Sequence, residues 1–247
     1  MMRKYLLLLW LLVPLPMVVL HYGRGQQWLG RDQAHSLIER AEAMEKASNW
    51  KDAETFYRQA TARIGASDPA VKTRLDLAMA RTRYRQGDAP GAMDLMDRVV
   101  DDPKFPAMPE SFRREARELA GRIHYCAGWV LRLEGARREL WLEEAELARQ
   151  NFRHLAEETL MAGAKDYSLL QQTNLESAVR LQRMSLTELM AKPLPEEGRN
   201  IAGQGLSEQM GQRRGQRGKG DQPGVGEGEG PPAAGAGTQR FKPGTGS

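Results

Sequence analysis

One stretch of this chain repeats itself. Sliding the sequence by 39 residues sets Ala41 on Ala80, Ser48 on Gly87, Asn49 on Asp88, Ala53 on Ala92, Tyr57 on Met96 and Ala60 on Val99. Small residues meet small ones, polar turn residues meet polar turn residues, and large apolar residues meet large apolar residues. Small side chains let two helices approach closely, and large ones fill the groove between them. A period of this length marks stacked helical units, each too small to bury its own apolar face.

Capping residues divide the region 32–197 into helices. Asn49 caps a helix that starts at Trp50. Asp68-Pro69 reads as N-cap then N1. Asp88 with Pro90, and Pro109 before Glu110, open two more. Gly163 reads as a C-terminal stop and Asp166 as the next cap. Ser185 and Glu188 have capping-box spacing, so the last helix kinks or restarts there. The spacing predicts helices over 33–47, 50–64, 69–86, 89–101, 110–133, 136–162 and 167–191. No segment alternates with period two, so no strand is expected.

The repeated residues resemble the tetratricopeptide repeat pattern. That pattern has a small residue in helix A, a Gly-Asp-Tyr-like turn, then Ala, an aromatic and Ala in helix B. Ala41, Ser48-Asn49-Trp50, Ala53, Tyr57 and Ala60 fit it. Ala80, Gly87-Asp88, Ala92, Met96 and Val99 fit it again, and Pro103 closes the unit. About five residues beyond the family's usual period lie near Gly65–Pro69. A third unit, with Leu119-Ala120 and then Ala145 and Phe152, is degenerate. The resemblance implies an all-α fold, a short solenoid of antiparallel helix pairs. The helix at 167–191, with Leu170, Leu175, Ala178, Val179, Leu181, Leu186 and Leu189, is expected to cap its exposed end.

The ends differ from the middle. Arg3 and Lys4 precede an apolar run, and Tyr5 to Tyr22 covers 18 residues, about 27 Å as a helix, enough to span a bilayer. The leading basic pair favours a cytoplasmic N-terminus. Residues 1–31 are thus expected to hold a short cytoplasmic stub, a membrane anchor through residues 5–22 and a linker. The bulk then lies outside the cytoplasm, in the periplasm if the source is bacterial. The rival reading is a cleaved signal peptide ending near residue 25, which gives a secreted protein. Residues 198–247 hold 15 Gly, 4 Pro and a single aromatic, Phe241. Such a segment cannot bury enough apolar surface to offset chain entropy and reads as a disordered tail. The formal charge is +4, carried by the two ends, whereas 32–197 is net negative. A basic nucleic-acid-binding globule is therefore not expected.

The sequence offers no catalytic constellation. Cys126 is the single cysteine, so no intramolecular disulfide and no Cys-rich zinc site exist. His124 and Cys126 are two apart and point away from each other on a helix. The adjacent pairs Glu143-Glu144 and Glu157-Glu158 read as solvated face. Nucleophile-elbow, zinc-helix and phosphate-loop motifs are missing. Neither an enzyme nor any cofactor or metal is expected.

The resemblance implies a concave groove lined by helices A. Carried onto this chain, its positions are Arg74, Leu77, Arg81, Tyr84 and Arg85 in the second unit, and Arg113, Arg117 and His124 in the third. Several Arg on one face can hold carboxylates by bidentate contacts. The expected function is a membrane-anchored adaptor that binds a protein or an acidic peptide, or docks on a membrane-associated complex. The competing reading is an Arg face balanced by neighbouring Glu. The first unit, with His35, Ile38, Glu42 and Glu45, argues against a uniformly basic groove. The alternative function lies in the tail. There Arg213, Arg214, Arg217 and Lys219 would contact nucleic acid or an anionic polymer; aromatic interleaving is missing. In layout alone, an apolar start and a low-complexity end, the chain also resembles tetratricopeptide components of bacterial aerotolerance-type operons, encoded beside von Willebrand A-domain and MoxR-type proteins.

Overall fold

The computed structural model describes residues 24–64, 68–161 and 163–212. The expected membrane run at 5–22 and the tail residues Arg213, Arg214, Arg217 and Lys219 lie outside them. Among the described residues there is no strand, and no helix is long and apolar enough to cross a membrane.

The helices are α1 (Arg24–Lys46), α2 (Trp50–Ile64), α3 (Pro69–Gln86), α4 (Ala89–Val100), α5 (Glu110–Leu133), α6 (Arg138–Met161), α7 (Lys165–Arg183) and the short α8 (Leu186–Met190). A last helical stretch, α9, covers 206–212. Their starts follow the caps read from sequence. The Asp68 carboxylate accepts from the Val71 amide at 3.2 Å, and that of Asp88 from the Gly91 amide at 2.9 Å. Ser185 and Glu188 close a capping box, which separates α8 from α7. Three starts differ, that of α6 by two residues, at Arg138. α1 begins at Arg24, nine residues before the expected start, and α7 begins at Lys165, so Asp166 lies in its first turn rather than capping it.

Neighbouring helices run antiparallel in consecutive pairs. Early α1 meets late α2 where Arg31 pairs with Asp68 at 3.4 Å, just past the end of α2. Late α3 meets early α2 through Arg83 and Glu54 at 3.0 Å. α5 and α6 are joined by Arg113 to Glu158 at one end and by His124 to Glu144 nearer the other. α6 and α7 are joined by Gln182 and Glu146 at 3.1 Å. Residues related by the 39-residue shift fill the seams: Ala41, Ala80, Ala53, Ala92, Tyr57, Met96, Ala60 and Val99 are all buried. The turns repeat too, because Ser48 and Gly87 both adopt left-handed backbone, at φ 57° and 90°.

α7 buries Ala178 and Leu181 and, with α8, Leu189, so the cap is formed. Leu170 and Leu186, expected on its buried face, stand exposed. The tail boundary needs a larger correction. Residues 198–212, assigned to the tail by composition, pack on the helical body. Ile201, Leu206 and Met210 join the main core, with Leu194 packed beside them. We refer to 193–212 as the strap. Four apolar side chains suffice here because the rest of the strap is tied by hydrogen bonds. The Glu134 carboxylate, at the end of α5, accepts from the Leu206 and Ser207 amides at 3.3 and 2.7 Å and so caps α9.

Candidate functional site: the face of α1, α3 and α5

The first helices of the three pairs share one face, and its lower part is a cavity of about 580 Å³. α1 contributes His35, Ile38 and Glu42; α3 contributes Val71, Arg74, Leu77 and Arg81; α5 contributes Ser111, Phe112 and Glu115; Tyr57 of α2 reaches in from behind. The volume falls within the range of small-ligand and side-chain pockets.

Arg81 is the floor. Its Nε and Nη2 donate to the two Glu45 oxygens at 3.1 and 2.9 Å, and Nη1 donates to Glu115 at 2.7 Å. Tyr57 also donates its hydroxyl to Glu45, at 3.1 Å. One guanidinium therefore stitches three helices together. Burial by itself would lower the Arg81 pKa, but the Glu45 hydrogen bonds and charge, with Glu115, outweigh it and the net shift is upward. The Tyr57 hydroxyl is pushed up by burial and by Glu45, so it stays protonated and donating.

At the upper end the face is already filled. The strap forms a 3-10 turn over Glu196–Asn200, and Glu197 enters the Arg stripe. Arg122 Nε donates to it at 3.0 Å, Arg85 lies 3.7 Å away, and the Tyr84 hydroxyl donates at 3.4 Å. Asn200 donates to the Arg85 carbonyl at 3.2 Å. Beneath this turn lies Cys126, whose thiol burial pushes well up, so it is held as a buried thiol rather than a nucleophile.

The expected groove residues therefore part company. Arg74 is exposed at the cavity mouth, and Leu77 is a buried wall. Arg81 is neutralised by Glu45 and Glu115, and Arg85 stacks on Trp50 at 5.9 Å besides meeting Glu197. Tyr84 is buried under the strap. Arg113 pairs with Glu158 at 2.9 Å and donates to the Met108 carbonyl, whereas Arg117 lies over the Phe105 ring at 5.3 Å. His124 leaves the face altogether. It is buried between α5 and α6 with its Nδ1 2.6 Å from Glu144, and Glu144 is itself buried rather than solvated. Arg122 and Glu197 had not been expected at the site. Arg122 follows Glu115 by seven residues, which is the one legible signal for it. Among the described residues no group of three or more His, Cys, Asp or Glu is placed to hold a metal ion.

The chain matches no family model, no curated protein and no solved structure.

Proposed function

We propose that this protein is a membrane-anchored, tetratricopeptide-like adaptor that holds a short segment of a protein partner against α1, α3 and α5. The observation that carries the reading is the Glu197 contact. The Arg stripe of this face takes up a carboxylate from an irregular segment of its own chain, and the cavity next to it remains open. Arg74 stands at that cavity without a carboxylate partner among the described residues, beside the apolar surface of Ile38, Val71 and Phe112. A fitting ligand has one acidic residue for Arg74 and an apolar side chain next to it. Glu42 on the opposite wall disfavours a run of acidic residues, so the partner segment is mixed rather than polyacidic.

The test places a photo-crosslinking residue at Ile38 in intact cells. We expect one or two discrete protein adducts. A charge-assisted hydrogen bond contributes about 1.5–3 kcal/mol, so Arg74→Glu is expected to lower adduct yield about ten-fold or more. Circular dichroism and melting should be unchanged, since the Arg74 side chain is exposed at the cavity mouth. Undiminished yield in a folded variant sinks the groove reading.

A further inference from the structure

We infer that the hairpin tip between α6 and α7 is a second membrane contact, inserting apolar side chains into the bilayer surface beside the anchor. This rests on the reading of residues 5–22 as a membrane segment. Four large apolar side chains surround the tip unburied: Leu160 at 62%, Met161 at 88%, Leu169 at 60% and Leu170 at 50% exposure. Four such residues on two adjoining helix ends give the apolar exposure that marks a partner or membrane surface.

The antiparallel order decides what faces the patch. α1 starts at one edge of the stack, directly after the apolar run. The contacts trace that edge to the tip: Arg31 pairs with Asp68, and Val71 and Arg74 share one cavity with Ser111 and Phe112. Arg113 then pairs with Glu158, and Tyr167 donates to Glu118 at 2.5 Å. The end of α6 and the start of α7 therefore lie on the edge where α1 begins. At Gly30 α1 already runs close to the body, since a Cβ added there would lie 3.3 Å from the Arg63 carbonyl. Only residues 23–29 separate Gly30 from the apolar run, and the part of α1 from Arg24 to Gly30 is about 10 Å of helix, comparable to the thickness of the headgroup layer. The occupant is lipid rather than a second copy because the helix that follows the proposed membrane segment begins on this same edge. Charges of both signs line the edge, so the contact is apolar insertion and not attraction to anionic lipid.

Met190 supplies the control. It is 70% exposed but sits in α8, at the opposite edge, where Arg132 at the end of α5 donates to the Leu181 and Met184 carbonyls. Full-length Met161→Cys and Met190→Cys are each labelled with bimane and incorporated in phosphatidylethanolamine–phosphatidylglycerol vesicles containing nitroxide lipid. Wild type, with Cys126 buried, gives the labelling background. We expect the protein to float with the vesicles, and the label at 161 to blue-shift and lose fluorescence while that at 190 does neither. Flotation with equal responses at both positions overturns the inference and leaves the anchor standing. A label at 161 quenched by spin-labelled protein but not by nitroxide lipid overturns it in favour of self-association. Protein that does not float overturns the anchor reading and this inference with it.

Discussion

Two residues show how closely this chain specifies its local geometry. Gly87 ends α3 in left-handed backbone, and a Cβ added there would collide with the Asn200 carbonyl and the Gln204 side chain. Gly87→Ala therefore meets backbone strain and overpacking together, an expected loss of about 3 kcal/mol; chemical denaturation measures it. Ser48→Gly, at the matching turn, should be neutral or slightly stabilising, because Ser48 holds a positive φ with a side chain present. Gly121 permits another close approach, since a Cβ there would come within 2.7 Å of the Phe152 ring. The glycine at 87 was legible from the repeat alone. Its second purpose, leaving room for residues more than a hundred positions away, was not, because no local pattern encodes a distant strap. His124 misled for a related reason. Its spacing from Arg113 and Arg117 is compatible with a groove stripe, but a buried carboxylate on α6 drew it into the seam.

Among the elements, the seam between α6 and the cap carries a pH-sensitive contact. Glu146 of α6 receives two hydrogen bonds from Arg149, at 2.7 and 2.5 Å, and others from Gln150 and from Gln182 of α7. Arg149 chiefly holds its pKa down, from an ordinary 4.5 to about 2. A depressed folded-state pKa adds stability that is complete above about 4.5 and is lost as pH falls toward 2. Glu146→Gln should therefore melt below wild type at neutral pH, with the gap closing between pH 4.5 and 2. A gap that stays constant or widens on acidification would refute the assignment. The side chain is half-exposed, so the difference is small and shrinks in high salt. Helix existence and type were legible throughout 32–191, because Asn49, Asp68, Asp88 and Ser185 announce themselves by side-chain chemistry. The start of α1 was not, since Arg24 to Gly30 carries two glycines and two glutamines and reads as linker.

At the scale of the whole molecule, the strap changes the kind of object this is. Helix pairs stacked only on their neighbours melt piecemeal, each unit weakly coupled to the next. Here Glu197 reaches Tyr84 across 113 residues, and Ile201, Leu206 and Met210 join a core that runs from α1 to α6. A chain stopped after Lys192 should melt over a broader range and at lower temperature than one stopped after Gln212. Equal, equally sharp transitions would show that the strap merely covers the surface. The same connection sets an order of events in time. Contacts from α1 to α8 join elements close in sequence, so they can form as each helix appears. The strap's contacts must wait for the end of the helical body and then search back over a long stretch of chain. Closure is thus expected to be the final folding step. Until it happens, Tyr84, Arg85 and Arg122 lack their Glu197 and Asn200 contacts, so the newly made protein presents a longer and more basic face than the mature one.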